Sequence, residues 1–392
     1  MNVAFVGLGA IGFPMAKRVA EAGFSLAVWN RTEARARDFA RATGSRVAGS
    51  AADAARNADV VITCLPNSPD VVAVLDGDNG LLAGLKSGAI LVDCTSGIPS
   101  MSRAIAQRLR DRGIEFIDAP VSGGVVGVEK GALTVMVGGD ASVLERARPV
   151  LESFGSKIVH CGDVGAGDAL KAVNNALLAV HIWSAGEGLA MLMKEGVSPK
   201  VALEVINASS GRSNASMNLF PERVLTRAFP RTFRLALLDK DVGIAAEVAA
   251  AAHVPAPMLQ LTAALWKAAH NSLGEVAKDL CGNLVRAQPR GMIVDLGDRN
   301  QFIRAGLLKN VAQPLPHGFA CAHDGIHRAI CHGRFFRRTP AQLRGIDRRR
   351  QQPGTAADQV QAHQLRGGED APRFFIRMCG INADADNQMR FA

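Results

Sequence analysis

The chain has 392 residues, more than one ordinary domain needs, and its 48 % apolar content leaves room for two hydrophobic cores. Its net charge of +9 resides almost entirely beyond residue 280, where 17 basic side chains face nine acidic ones; the preceding 280 residues hold 28 against 27. A main body so close to neutral argues against nucleic-acid binding as its function.

Cys64, Cys94 and Cys161 lie in the body without paired spacing, and the total of seven cysteines is odd, which suits a reducing compartment. A glycine motif begins at Gly7, so no targeting segment is expected ahead of it. No apolar run is read as approaching the roughly 20 residues that span a bilayer. The expectation is a cytoplasmic protein without a membrane segment.

Residues 2–6, NVAFV, read as a strand, followed at once by Gly7-Leu8-Gly9-Ala10-Ile11-Gly12 and a helical pattern to Ala22. Strand, glycine turn and helix in that order is the dinucleotide-binding context. Gly7 permits the tight turn, Gly9 admits a pyrophosphate to the backbone, and Gly12 lets helix and strand pack; Ala10 and Ile11 open the helix whose N–H groups face the phosphates. The second strand, Ser25–Trp29, ends in Asn30-Arg31-Thr32 with no acid to take a ribose 2′-hydroxyl. Arg31 and Thr32 can instead donate to a 2′-phosphate, which favours NADP over NAD; the plainer reading of Arg31 is a solvated loop residue.

Strands at 59–65, 89–93, 114–117 and 133–137 recur at helix-sized intervals, the rhythm of an α/β fold with a mostly parallel, doubly wound Rossmann-like sheet. In such sheets ligands lie beyond the carboxyl ends of the strands. Leu65-Pro66, Asp93-Cys94-Thr95-Ser96 and the segment from Asp118 to Gly124 occupy those ends. Within the last, Ser122-Gly123-Gly124 offers a hydroxyl and unobstructed backbone N–H groups, either an anion-binding nest for a carboxylate or simply a flexible turn.

Residues 165–193 read as one long helix entered through Gly-x-Gly. Lys171, Asn174 and Asn175 share one of its faces at i, i+3 and i+4. Such a face is either the wet end of an amphipathic helix or a set of groups brought to a site, because burying it requires polar partners. From Val197 onward helical periods are punctuated by Pro199, Gly211, Pro221, Pro230, Pro255 and Pro257, giving an all-α second domain. The domains are placed at 1–163, 164–280 and 281–392.

Four segments, FVGLGAIGFPMA at 5–16, FIDAPVSGG at 116–124, GAGDALKAVNNALL at 165–178 and FRLALLDKD at 233–241, resemble the β-hydroxyacid dehydrogenase family over about residues 1–275. That family includes 3-hydroxyisobutyrate dehydrogenase, tartronate semialdehyde reductase and glyoxylate or succinic semialdehyde reductases. The resemblance implies Lys171 as the catalytic lysine, Asn175 and Thr95 beside the substrate, and Ser122, Gly123 and Gly124 gripping its carboxylate. It implies Leu65, Pro66, Ser96, Phe233 and Lys240 as cofactor contacts, with Asp241 in the same motif as Lys240. It also implies hydride exchange between NADP(H) or NAD(H) and a small β-hydroxy acid or semialdehyde, no metal, and a homodimer or homotetramer joined through the helical domain. Where relatives commonly carry Asp-x-Ser-Ser or Asp-x-Ser-Thr, this chain has Asp93-Cys94-Thr95-Ser96, which keeps both hydroxyls. The related 6-phosphogluconate dehydrogenases carry His-Asn where Asn174-Asn175 stands here. Arg212, Asn214 and Asn218 are expected to face the cleft between the domains.

Beyond residue 280 the character changes: 16 arginines but only Lys309, five of the nine histidines, ten glutamines and no sustained periodicity. The family's usual C-terminal ending is absent. Three readings stay open, namely a disordered extension, a frameshifted text, and a module of its own. A module would draw on Cys321, His323, His327, Cys331 and His332, whose order fits no familiar zinc spacing, or on the runs Arg337-Arg338 and Arg348-Arg349-Arg350. The alternative to an enzyme is a nucleotide-binding adaptor acting through this basic tail on nucleic acid.

Overall fold

The computed structural model describes residues 1–228 and 233–273, together with an antiparallel strand pair, Asn382–Ala383 with Met389–Arg390. The expectations placed on the segment beyond residue 280 otherwise lie outside the described residues.

Nine strands form one sheet: β1 (Asn2–Val6), β2 (Ser25–Trp29), β3 (Arg46–Val47), β4 (Val60–Thr63), β5 (Ile90–Asp93), β6 (Glu115–Asp118), β7 (Val121–Ser122), β8 (Leu133–Gly138) and β9 (Gly155–Gly162). Their order is β3-β2-β1-β4-β5-β6-β8-β7, with β9 also pairing β8. Pairing is parallel from β3 through β6, in registers such as Phe5 with Ile62 and Asp93 with Asp118. β8 then runs antiparallel to β6 and β7. The strand order reverses at β1, which is flanked by β2 on one side and β4 on the other, and in sheets of this kind ligands bind at such a switch point.

Between the strands run α1 (Gly12–Glu21), α2 (Glu33–Thr43), α3 (Ala51–Ala55), α4 (Ser68–Leu75), α5 (Leu81–Gly84), α6 (Pro99–Arg110), α7 (Gly124–Glu129) and α8 (Ala141–Leu151). Because side chains alternate along a strand, β1 feeds two cores. Val3 and Phe5 join Met15, Phe39 and Phe154 on one face, while Ala4 and Val6 join Leu75, Leu91 and Ile105 on the other. Central strands covered on both faces need unbroken apolar text, which Val60-Val61-Ile62 and Ile90-Leu91-Val92 supply.

The helical half comprises α9 (Ala166–Lys194), α10 (Pro199–Asn207), a π-helix at Ala215–Leu225, α11 (Leu235–Ala251) and α12 (Pro257–Leu273). Ala172, Ala176 and Ala179 form a small-residue stripe on α9 against which Leu235, Leu238, Val242 and Trp266 close a third core. The Trp266 indole donates to the Ala179 carbonyl at 3.4 Å and meets Trp183 edge to face at 5.8 Å.

Two expectations change. The supposed loop through Ser122 contains β7, and Gly123, at φ 137°, leads directly into α7. At 29 residues, with an 18-residue window of mean hydropathy 1.4, α9 is by length and composition long and apolar enough to cross a bilayer, contrary to the expectation that no run approached that length. In its first half Asp168, Lys171 and Asn175 are buried, Asp168 accepting the Gly97 N–H and Asn175 donating to Asp241.

Candidate functional site

At the switch point the β1–α1 turn fits closely against its neighbours. Gly7 sits at φ 102°, and a Cβ there would come within 2.4 Å of the Cys64 carbonyl oxygen; one on Gly12 would lie 2.0 Å from the Gly7 carbonyl oxygen. A Cβ on Gly9 would meet nothing within 4 Å, so the backbone at this residue faces open space. Two glycines buried for packing and one open to approach are what a pyrophosphate over the α1 N-terminus demands, and the turn fits a dinucleotide. Asn30 braces the turn by accepting the Leu8 N–H at 2.9 Å, and its own amide donates to the Thr32 carbonyl. Arg31 projects into solvent, its Nη1 3.8 Å from Asp70, and Arg35 reaches the Leu8 carbonyl at 3.4 Å. Two guanidinium groups thus stand beyond the end of β2, whose Asn30-Arg31-Thr32 carries no acid, and Asp70 of α4 lies beside Arg31.

The ends of β4 and β5 are stitched together by Asp93, whose Oδ1 accepts from Thr63 Oγ1 at 2.8 Å and from the Thr95 N–H at 3.1 Å. Burial pushes the Asp93 carboxyl up to about 6. Thr95 is buried, and its hydroxyl accepts the Leu65 N–H at 3.0 Å. That hydroxyl shapes the loop, so the structure gives Thr95 a bracing position. Leu65 and Ser96 are half-buried and Pro66 is exposed along the same crevice.

The end of β6 holds the start of α9. Asp118 is fully buried; its Oδ1 accepts the Gly165 N–H at 2.6 Å and its Oδ2 the Asp168 N–H at 2.9 Å. The carboxyl therefore caps the helix from another element, with its charge at the positive end of the helix dipole. The chain leaving Asp118 carries Ser122, Gly123 and Gly124, so this segment begins at the α9 N-terminus. Ser122 is half-buried, and the two glycines are exposed.

One turn further along α9, Lys171 is 8 % exposed and Asn175 5 %. Asn175 Nδ2 donates to Asp241 Oδ2 on α11 at 2.6 Å, while Asp241 Oδ1 lies 2.9 Å from Lys240 Nζ. Lys240 in turn donates to the Ser96 carbonyl, tying the helical half to the end of β5. Burial pulls the Lys171 ammonium below the ordinary lysine range; the Asp241 carboxylate opposes that, and the Lys240 charge adds to it. The arrangement thus brings together an amine with an enlarged neutral fraction, a clamped amide and a second cation, suited to proton exchange with a polar substrate.

Sequence spacing located Lys171 and Asn175 but misjudged Asn174, which is exposed and donates to Asn175 Oδ1 at 3.2 Å from the outer flank. Phe233 packs, half-buried, against the helical core. Asn214 and Asn218 are exposed and bond each other at 2.8 Å. Arg212 lines a groove with His181 and Ser213 between α9, α10 and the π-helix. His181 lies ten residues past Lys171, about 15 Å along the helix, so this groove is separate from the lysine. Sequence reasoning missed Asp118 and Asp168 as partners of the interlobe helix; acids at the end of β6 and in the first helical turn were the available signal. Among the described residues no histidine, cysteine and carboxylate cluster could hold a metal.

Comparison with known proteins covers the same two halves. Residues 2–162 match the family described as the NAD binding domain of 6-phosphogluconate dehydrogenase, and residues 165–281 that described as NAD-binding of NADP-dependent 3-hydroxyisobutyrate dehydrogenase. An NAD-dependent L-serine dehydrogenase of Pseudomonas aeruginosa is 39 % identical over 272 residues, covering 68 % of this chain and 91 % of the relative. A 2-(hydroxymethyl)glutarate dehydrogenase of Eubacterium barkeri is 36 % identical over 267 residues, covering 68 % and 88 %. Among solved structures, a Mycobacterium tuberculosis 3-hydroxyisobutyrate dehydrogenase with L-serine superposes with a TM-score of 0.66 at 32 % identity, covering 72 % of this chain and 96 % of that one.

Proposed function

The chain belongs to the β-hydroxyacid dehydrogenase family and is an NAD(P)-dependent enzyme acting on a CH–OH group, and we propose that it exchanges hydride between NADP(H) and a small carboxylate-bearing β-hydroxy acid or its semialdehyde. The observation that carries this reading is the buried Lys171, set beside an Asn175 whose amide is clamped by Asp241. The bound nicotinamide would supply or accept the hydride. Gly7, Gly9 and Gly12, with Ala10 and Ile11, would hold its pyrophosphate, and Leu65, Pro66 and Ser96 would line its path toward Lys171.

In the direction of oxidation, neutral Lys171 takes the proton of the substrate hydroxyl; in reduction, the ammonium returns it and steadies the developing oxyanion. Its depressed pKa serves the first role by enlarging the neutral fraction near neutral pH. Asn175 uses one N–H on Asp241, which leaves the other for the substrate. Ser122 and the backbone of Gly123 and Gly124 would receive the substrate carboxylate. Lys240, anchored on Ser96, closes the cleft from the helical half.

The preference for the phosphorylated cofactor rests on Arg31 and Arg35 following β2, with Asn30 rather than an acid at the strand's end. One relative is NAD-dependent while the matching family description reads NADP-dependent, so charge at this strand end is the deciding feature. A higher kcat/KM with NADPH than with NADH is expected; a clear NADH preference would refute it. A self-associated state, a dimer or tetramer through the helical half, is supported by exposed Leu170, Leu177, Met191 and Leu261 there and is checked by light scattering.

The test of the chemistry is Lys171→Ala, assayed by nicotinamide absorbance against L-serine, 3-hydroxyisobutyrate, 2-(hydroxymethyl)glutarate, glyoxylate and tartronate semialdehyde. It should lower kcat by about 10²–10⁴-fold, the share that a positioned acid–base group contributes, while dinucleotide affinity stays within about twofold. Wild-type turnover by this variant would end the proposal. The adaptor alternative gives way to the dehydrogenase relationships, and the basic runs it depended on lie outside the described residues.

A further inference from the structure

Asp168 takes no part in the proton transfer assigned above, yet it is 1 % exposed and fully engaged. Its Oδ1 accepts the Gly97 N–H at 2.9 Å and its Oδ2 the Ser102 hydroxyl at 2.6 Å. Neither partner belongs to α9: Gly97 lies in the loop after β5, and Ser102 on α6. The first turn of α9 is already capped by Asp118, so the Asp168 carboxyl serves as a bond between elements rather than within its own helix. The fit is close, since a Cβ on Gly97 would come within 3.0 and 3.2 Å of the two Asp168 oxygens and 2.9 Å of Ser68 Oγ. Ser68 Oγ in turn accepts the Ile98 N–H at 2.8 Å. The loop so held contains Ser96, on whose carbonyl Lys240 rests. Lys171 follows Asp168 by three residues on the same helical face.

We propose that Asp168 is a positioning residue, joining the 95–98 loop to the first turn of α9 so that the Lys171 amine is held dry and in fixed register with the cofactor-facing loop. This rests on the reading of Lys171 as the acid–base group. Burial and the neighbouring Asp118 and Asp93 charges push the Asp168 carboxyl up to about 8, against the opposing bonds from Ser102 and Gly97. When the carboxyl carries its proton, the Ser102 hydroxyl turns to the Ile98 carbonyl and the Oδ2–H donates to Ser102 Oγ, an arrangement that an amide copies. In Asp168→Asn the oxygen still accepts from Gly97, and the new N–H₂ donates to Ser102 Oγ, whose own hydroxyl can turn to the Ile98 carbonyl 3.4 Å away.

The experiment compares the full chain with Asp168→Asn, Asp168→Ala and Lys171→Ala. The Lys171 pKa is read by competitive acetylation with acetic anhydride across pH and peptide mass spectrometry, which needs no substrate. kcat for 3-hydroxyisobutyrate, NADPH affinity and Tm are read alongside. The charged groups facing Lys171 are Asp241 and Lys240 of α11, and those facing Asp168 are Asp93 and Asp118 of the sheet. Asp168→Ala should admit water and raise the Lys171 pKa by about half to one unit. Its kcat should fall at least about tenfold through lost alignment, with NADPH affinity within about threefold. Asp168→Asn should keep the lysine pKa and keep kcat within about threefold of wild type. A lysine pKa unmoved in Asp168→Ala, with only Tm reduced, would overturn the proposal, as would an Asn variant as impaired as the Ala variant. Full turnover by Lys171→Ala would remove the lysine reading and this proposal with it. An inactive Lys171→Ala beside a fully active Asp168→Ala would remove only the role of Asp168.

Discussion

Asp118→Ala tests how the sheet holds the interlobe helix. The native carboxyl is 0 % exposed and accepts two backbone N–H groups of the α9 entry, from Gly165 at 2.6 Å and Asp168 at 2.9 Å. Its surroundings are closed: a Cβ on Gly138 would lie 2.5 Å from Oδ1, and one on Gly167 2.8 Å from Oδ2. Alanine removes both acceptors and leaves two buried donors, each costing about 1–3 kcal/mol. It also removes a carboxyl at the helix N-terminus, a contribution of up to about 2 kcal/mol in partly buried geometry. Against these stands the relief of a carboxyl whose pKa burial has raised, which offsets part of the loss. The net expectation is a destabilisation of about 3–5 kcal/mol for Asp118→Ala. Asp118→Asn keeps one acceptor while turning an N–H₂ toward the other donor, and should lose about 1–3 kcal/mol. Urea unfolding followed by tryptophan fluorescence measures both, with an unchanged m-value required for the comparison. A cost below about 1 kcal/mol for alanine, less than a single orphaned donor, would refute the cap, as would equal costs for the two variants.

The glycine turn separates binding from folding. Gly12→Ala drives a Cβ to 2.0 Å from the Gly7 carbonyl oxygen, so both Tm and NADPH affinity should fall. Gly9→Ala meets nothing within 4 Å, so Tm should hold while affinity drops at least about tenfold through obstruction of the pyrophosphate; equal effects of the two substitutions would contradict the assignment. Stability should also carry a pH signature. Asp93 and Asp168 have folded pKa values raised to about 6 and about 8. The native state therefore binds more protons than the unfolded chain, and the stability these groups contribute is full below about pH 4 and lost as pH rises through those values. Lys171, with its pKa lowered, works in the opposite sense on the alkaline side. The urea midpoint should be higher at pH 6 than at pH 9, and Asp168→Asn should narrow that difference; a midpoint that climbs with pH would contradict it.

Much of this architecture is legible in one dimension, because local rules encode it. Alternating and continuous apolar runs specify strands, and glycine spacing specifies the turn above α1. The three- and four-residue spacing in Lys-x-x-Asn-Asn places side chains on one flank of a helix. That spacing could not separate Asn175 from Asn174, since both neighbour Lys171 on a helical surface; only the approach of α11, with Asp241 reaching Asn175, made one inner and the other outer. The dry setting of Lys171 likewise depends on partners far away in the chain. Asp118 reaches Gly165 across 47 residues, Asp168 reaches Gly97 across 71, and Lys240 reaches Ser96 across 144. Periodicity and turn chemistry act over a few residues, so the sequence by itself determined which elements form and which residue types they carry. Which strand end meets which helix end follows from burying three cores at once, so the joints that set the lysine's position and proton affinity were decided by the tertiary structure alone.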